Sequence, residues 1–312
     1  MMLQRRRLAI NGWFALDKPY GITSSQSVTR VRALFEAKKA GHAGTLDPLA
    51  TGVLPIGLGE ATKTMRFVTD GKKTYRFTVT FGEARDTDDL EGKVVETNTF
   101  RPSNEAIKKM LPTFTGLISQ VPPIYSAIKI NGEPYYRRAR RGLLVPPKER
   151  LVTVNRFEFI QRLDSDRVVF EVDCGKGTYI RSLARDLGKS LGAVSYLSEL
   201  RRTRCGPFCE KDAISLDMLG QTVLCAPPQE CLLPVSVVLA DIPALVLTEK
   251  QAYLLRQGRT VSARSQHAYF VNKAELEVLC DGDLLCAIFA KTPVAIARLE
   301  GSEIKPVRVF NL

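Results

Sequence analysis

Apolar positions along the chain change period several times, and those changes mark its elements. Tyr75, Phe77, Val79 and Phe81 alternate with Arg76, Thr78 and Thr80, the period of a strand with one buried face. Residues 12–16 predict a shorter strand, stopped by Asp17-Lys18-Pro19-Tyr20-Gly21. Beyond it, Thr23 or Ser24 can cap a helix whose Val28, Val31, Leu34 and Phe35 share one face. Ser103 predicts a second cap, with its helix running to Leu111. Ile180, Leu183, Ala184 and Leu187 give helical spacing within 178–191, while 152–163 and 168–174 read as a strand pair. Residues 124–130 run into Asn131-Gly132, a strong hairpin signal. Residues 41–59 hold five glycines and two prolines. That is too much glycine for a regular element and too apolar for a solvated linker, so a shaped loop is expected.

Strands and helices mix without a regular βαβ rhythm, which predicts an α+β fold rather than a doubly wound one. Past about Thr248 the pattern turns to short strand-like segments at 284–290, 294–299 and 307–310. The expected division is therefore a large domain over 1–246 and a small β-rich domain over 247–312. Ala226-Pro227-Pro228 is a second candidate break.

Charge narrows the partner. The chain carries 45 Lys and Arg against 33 Asp and Glu, a formal net charge of +12, which favours a polyanion. Tyr135-Tyr136-Arg137-Arg138-Ala139-Arg140-Arg141-Gly142 interleaves aromatics with a basic run, a mixture suited to phosphates and unstacked bases. A solvated face is the plainer reading of the same run. Seven cysteines without a CxxC pair, and only two histidines, argue against a disulfide framework and a metal site. Reduced, mostly buried cysteines are expected instead. No apolar run is long enough to span a membrane, and the basic start leads into Asn11-Gly12 rather than a signal-peptide core. A soluble cytoplasmic protein is expected.

Gly41-His42-Ala43-Gly44-Thr45-Leu46-Asp47-Pro48 is the segment most suggestive of chemistry. A proline after Asp47 steers that residue toward extended backbone, and the glycines let the chain approach a ligand closely. A carboxylate beside Leu46, Leu49 and Val53 could be partly desolvated and act as nucleophile or base. A plain aspartate turn before proline fits the same residues.

This segment resembles the signature loop of the TruB family of pseudouridine synthases. Further stretches resemble the same family in the same order: Asp17-Lys18-Pro19-Tyr20-Gly21-Ile22-Thr23-Ser24, Lys73-Thr74-Tyr75, Asp86-Thr87-Asp88, Gln120-Val121-Pro122-Pro123 and Tyr125-Ser126-Ala127-Ile128-Lys129. Gly177-Thr178-Tyr179-Ile180-Arg181-Ser182-Leu183 and Leu200-Arg201-Arg202-Thr203 complete the series, which spans roughly residues 12–210. The last 65 or so residues match only loosely. The resemblance implies a largely antiparallel mixed sheet flanked by helices, with a small PUA-like domain at the end. It also implies isomerisation of uridine-55 in the tRNA T loop to pseudouridine, by a monomer, without metal or cofactor. The C-terminal domain would touch the acceptor end.

Carried over residue by residue, the resemblance makes Asp47 the catalytic carboxylate and Arg181 its partner, held by bidentate hydrogen bonds. Tyr75 would stack on the target base, and its hydroxyl could relay a proton; a core aromatic on the same strand is the plainer alternative. Leu200 would pack under the catalytic loop, and Lys18 would brace it or touch RNA. His42 would hold open the space left by the flipped base. Tyr179, Lys129, Arg140, Arg141 and Arg202 are expected on the RNA-binding face. Two competing readings stay open: a tRNA-binding chaperone without chemistry, and another base-flipping enzyme such as a glycosylase. A zinc deaminase lacks its HxE and PCxxC elements here.

Overall fold

A computed structural model describes residues 8–126, 129–130, 133–135, 141, 148–225, 227–263, 269–270 and 279–312. In chain order its first elements are β1 (Gly12–Lys18), α1 (Ser24–Leu34), β2 (Ala40–His42), β3 (Thr51–Leu58), α2 (Met65–Asp70) and β4 (Lys73–Phe81). Then follow β5 (Glu83–Arg85), β6 (Val94–Thr97), α3 (Asn104–Met110), β7 (Gly116–Gln120), β8 (Lys129–Ile130) and β9 (Glu133–Pro134). The rest of the large sheet comes from β10 (Arg150–Arg162), β11 (Arg167–Cys174), α4 (Ile180–Ser190), β12 (Ser195–Cys205) and β13 (Phe208–Cys209), with α5 (Leu216–Cys225) after it.

Seven strands run across this sheet in the order β1-β3-β12-β4-β11-β10-β7, with β2 paired to β3 and β13 to β12. Only the β3–β12 contact is parallel, so the α+β, largely antiparallel expectation describes the fold. In β4 the alternation holds. Tyr75, Phe77, Val79 and Phe81 are buried, and Phe77 stacks on Phe170 of β11 with ring centroids 5.6 Å apart. Thr23 caps α1 through a reciprocal exchange with Gln26, and the Ser103 hydroxyl accepts from Ala106 N at the start of α3. The strands flanking Asn131-Gly132 pair antiparallel as the turn signal predicts; the two turn residues lie outside the described residues.

The expectation of a loop over 41–59 needs correction, because that segment contains β2 and the eight-residue β3. β3 lies inside the sheet, and all of its residues after Thr51 are buried. There a glycine permits close approach rather than ending the strand. A Cβ on Gly52 would lie 2.3 Å from the Arg202 carbonyl oxygen across the parallel contact. Pro55, which has no N–H for a ladder, falls where β3 changes its partner from β12 to β2.

The second sheet holds β14 (Ala244–Val246), β15 (Val261–Ser262), β16 (Tyr269–Phe270), β17 (Leu284–Phe289), β18 (Thr292–Glu300) and β19 (Glu303–Val309). A short helix, α6 (Glu249–Arg256), packs on it. β14 joins this sheet from before the expected boundary at 247. The sheets share a core in which Trp13, Val53 and Phe208 pack with Cys286, Ile296 and Phe310. Burial of the cysteines is less general than expected: Cys174, Cys205 and Cys286 are buried, while Cys225 and Cys280 are exposed. Among the described residues no helix is long and apolar enough to cross a membrane.

Candidate active site

The Asp47 loop spans β2 and β3 and is pinned from below by the segment between β1 and α1. Ser24 Oγ donates to Leu46 O at 3.0 Å and accepts from Leu46 N at 2.9 Å. Lys18, fully buried, donates to Pro19 O (2.9 Å), Ile22 O (2.7 Å) and Pro48 O (3.2 Å). Gly21 N adds a bond to Pro48 O at 2.9 Å. Of the two roles open to Lys18, it therefore makes the contacts of a brace. Burial draws its ammonium down to about 8, against the opposing pull of Asp47. Asp47 O accepts from Ala50 N at 3.1 Å, so the aspartate does head a turn. The turn frees its side chain to project the other way.

That side chain faces Arg181, from the first turn of α4. Arg181 Nε lies 3.0 Å from Asp47 Oδ2, with the arginine side chain 6% exposed and the aspartate 41% exposed. The contact is an ion pair with the Nε–H not aligned for a hydrogen bond. The expected bidentate fork is absent because the other nitrogens are engaged elsewhere. Nη1 donates to Thr87 O at 3.1 Å and lies 3.4 Å from Asp89 Oδ2; Nη2 donates to Tyr125 O at 3.0 Å. Asp89 was not foreseen from sequence. It is buried, accepts from Thr87 Oγ1 at 2.6 Å and from Glu91 N at 3.0 Å, and balances Arg181 from behind.

Asp47 and Arg181 share a cavity of about 380 Å³ with Tyr75, Tyr179, Leu200 and Lys73. Tyr75 enters from β4. Burial raises its phenol to about 12, although the neighbouring Arg202 pulls the other way, so the hydroxyl is neutral at ordinary pH. Leu200, on β12, lies half-buried between this cavity and a smaller one of about 20 Å³ behind Asp47. Tyr179 precedes α4, fixed by a two-way exchange with the Gln120 amide at 2.8 and 3.0 Å, and the Arg150 guanidinium lies 4.8 Å from its ring centre.

Arg202 is where the expectation fails. Its side chain is only 1% exposed and backs the wall of the same cavity, rather than standing on an open RNA-facing surface. Nε donates to Val53 O at 2.7 Å and Nη2 to Gly44 O at 3.0 Å, tying both arms of the Asp47 loop to β12. Gly44 has φ of +85°, a left-handed turn, and a Cβ there would meet Arg202 Nη1 at 3.3 Å. Lys73 plays a similar part, donating to Val68 O, Thr69 O and Gly71 O from a buried position.

His42 ends β2, opposite Ile56, with its Nδ1 buried and without a protein partner. Burial first, and Arg202 second, hold its pKa below the usual histidine value, so the neutral ring prevails at neutral pH. It does not line the cavity itself. Among the other residues expected on the RNA face, Lys129 lies in β8, and Arg141 is exposed and donates to Glu133 Oε1 at 2.6 Å. Arg140 lies outside the described residues.

Comparisons with known proteins identify the family. Residues 32–180 match the N-terminal domain of TruB family pseudouridylate synthases, and residues 181–240 match the tRNA pseudouridylate synthase B C-terminal domain. The chain is 48% identical to tRNA pseudouridine synthase B of Rhodospirillum rubrum over the full length of both. It is 49% identical to the protein of that name from Bradyrhizobium diazoefficiens, covering 99% of this chain and 88% of the relative. A crystal structure of a Cbf5-Nop10-Gar1 complex includes a chain that superposes with a TM-score of 0.72 at 26% identity, covering 96% of this chain and 84% of its own. An H/ACA RNP bound to a substrate RNA containing 2'-deoxyuridine gives 0.74 at 23% identity, with 96% and 85% covered, a likeness of fold. With the signature loop, its buried arginine and its tyrosine assembled on one cavity, the chain belongs to the TruB family of pseudouridylate synthases.

Proposed function

We propose that the chain is a tRNA pseudouridine synthase that isomerises uridine-55 of the T loop, with Asp47 as the essential carboxylate. The observation carrying this reading is the placement of Asp47 on the cavity rim, paired at 3.0 Å with a buried Arg181 and facing the wall that includes Tyr75. The relatives' shared name, tRNA pseudouridine synthase B, supplies the substrate class. The flipped uridine enters the cavity, and the cost of a few kcal/mol for unstacking is partly offset by stacking on Tyr75. Asp47 attacks either the ribose C1′ or the uracil ring. The N1–C1′ bond breaks, the base turns, and a C5–C1′ bond forms. C5 then loses its proton and N1 gains one, so substrate and product have the same mass. Tyr75 acts as a neutral phenol: it stacks, and its hydroxyl can pass a proton between water and the base.

The small domain over 247–312 is read as a PUA-like module that meets the acceptor end of the tRNA, with His42 filling the gap left by the flipped base. A cytoplasmic monomer fits this reading. The test is tritium release from 5-tritiated uridine in a tRNA transcript. Wild type should release tritium, and Asp47→Asn should release none while still binding tRNA. Binding without release by wild type would make the protein a chaperone. Free uracil with an abasic site in the product would make it a glycosylase.

A further inference from the structure

The junction of the two sheets carries a second cationic feature, separate from the Asp47 cavity. Lys39, Lys63, Met65, Arg66, Val307 and Arg308 line a groove of about 530 Å³. Its cations come from both units: Lys39 leads into β2, Arg66 lies on α2, and Arg308 lies on β19. All three are exposed. Among the described residues no carboxylate pairs with any of them. The nearby acid is already committed, since Glu60 accepts from Lys63 Nζ at 2.6 Å and from Asn311 N at 2.8 Å. Lys63 also donates to Val309 O at 2.8 Å, fastening β19 to the helical turn between β3 and α2. The continuous core beneath this fastening includes Val53, Ile296 and Phe310. The segments that carry these three cations are thus joined by packing that spans the junction.

Exposed cations gathered in one groove without counter-charge suit phosphates. The groove's position identifies the source. Lys39 is eight residues before Asp47, at most about 29 Å of fully extended chain, a span that a few nucleotides of backbone cover. A polynucleotide with one nucleotide in the cavity therefore has its flanking backbone within reach of the groove. We infer that the Lys39–Arg66–Arg308 groove binds phosphodiester groups of the RNA substrate beyond the flipped nucleotide, a reading that rests on the proposed function.

The test uses the full chain with Lys39, Arg66 and Arg308 all changed to alanine, and an unmodified tRNA transcript as probe. Affinity is measured by filter binding between 50 and 200 mM salt. Tritium release is measured in single turnover at saturating enzyme. The expected result is a Kd raised roughly 10- to 100-fold at fixed salt, and a log K against log salt slope reduced by about 2 to 3. The saturated single-turnover rate should be unchanged, and the variant Lys39→Arg/Arg66→Lys/Arg308→Lys should restore both affinity and slope. Should the triple variant melt earlier than wild type, each single alanine variant is read instead, with an expected slope change of about 1. An unchanged Kd and slope would overturn the groove assignment. Absence of tritium release from wild type would sink the proposed activity instead, and the salt slope would still decide the groove.

Discussion

Replacing Arg181 with methionine tests the site most directly, because the guanidinium holds together groups of very different exposure. Methionine fills much of the same space and removes every donor. Left behind are the Thr87 and Tyr125 carbonyl oxygens, Asp89 and Asp47. Removing one partner of a buried ion pair costs about 3–5 kcal/mol. Asp89 retains the Thr87 hydroxyl and the Glu91 N–H, which places its share at the low end. Asp47, 41% exposed, can recover water and adds little to stability. The expected loss is therefore about 3 kcal/mol, or roughly 6 °C in melting midpoint for a chain of this size.

Turnover should fall further than stability explains. A misplaced charge-stabilising contact in the transition state is worth about 10²–10³ in rate, whereas tRNA affinity should stay within about threefold. Adding Asp89→Asn to Arg181→Met separates the two effects. The neutral amide needs no cation, so about half the lost stability should return, while tritium release stays at the level of the single variant. If turnover recovers with stability, the ion pair with Asp47 contributes nothing to chemistry and the defect is one of folding. If Arg181→Met melts like wild type, the buried pair with Asp89 carries no stability. If tRNA affinity collapses, Arg181 is a phosphate contact.

Three more outcomes follow from the geometry. Tyr75→Phe keeps the ring, so tRNA affinity should hold within about twofold while single-turnover release falls roughly tenfold or more. Because the phenol is pushed up to about 12, Tyr75 should contribute no alkaline limb to the wild-type rate below pH 10, and a limb near pH 9 that vanishes in Tyr75→Phe would refute its neutral role. Lys18 sheds its proton near pH 8 when folded, against an ordinary value of 10.5. The unfolded chain then binds more protons between these values, so Lys18 makes the unfolding free energy rise with pH across that window; Lys73 acts in the same sense and the buried Cys174 and Cys286 thiols in the opposite one, so the change in urea midpoint from pH 7.5 to 10 should be more favourable in wild type than in Lys18→Met, and parallel changes in the two would rule it out. Arg202→Met strips donors from two buried carbonyls at about 1–3 kcal/mol each, less the relief of a buried charge, for a net loss near 2 kcal/mol. Its salt slope for tRNA should match wild type, and a slope lower by about 1 would return Arg202 to the RNA face.

Local signals were the legible ones. The Thr23 and Ser103 caps, the β4 alternation and the β10–β11 pair depend on neighbouring residues, and each is visible in a short window. Arg202 was misread because β12 breaks its own period. The register shifts between Leu197 and Glu199 and again between Arg202 and Arg204, so counting by twos does not tell which member of Arg201-Arg202-Thr203-Arg204 points inward. Asp89 was hidden in an acidic stretch for a related reason. Asp88 takes a φ of +61°, and this local turn, with the Asp89–Leu197 bridge, carries the next carboxylate under Arg181. β3 was lost because its glycines answer to contacts far away in sequence. The motifs around Asp47, Tyr75 and Arg181 pick out residues that meet on one cavity, but not the scaffold that joins them.

That scaffold has an electrostatic logic of its own. Lys18, Lys73, Arg181 and Arg202 are buried in or beside the cavity, and the carboxylates among them are Asp47 and Asp89. The two lysines and Arg202 satisfy their hydrogen bonds mainly with backbone carbonyls. A carbonyl accepts a hydrogen bond but carries no net charge, so it meets the local need of a buried donor and leaves the cation's longer-range field in place. Three carboxylates in those positions would satisfy the same donors and cancel that field. The arrangement seen here keeps the cavity positive around one accessible acid. The same buried side chains thus hold the Asp47 loop in place through its carbonyls and set the charge of the cavity wall.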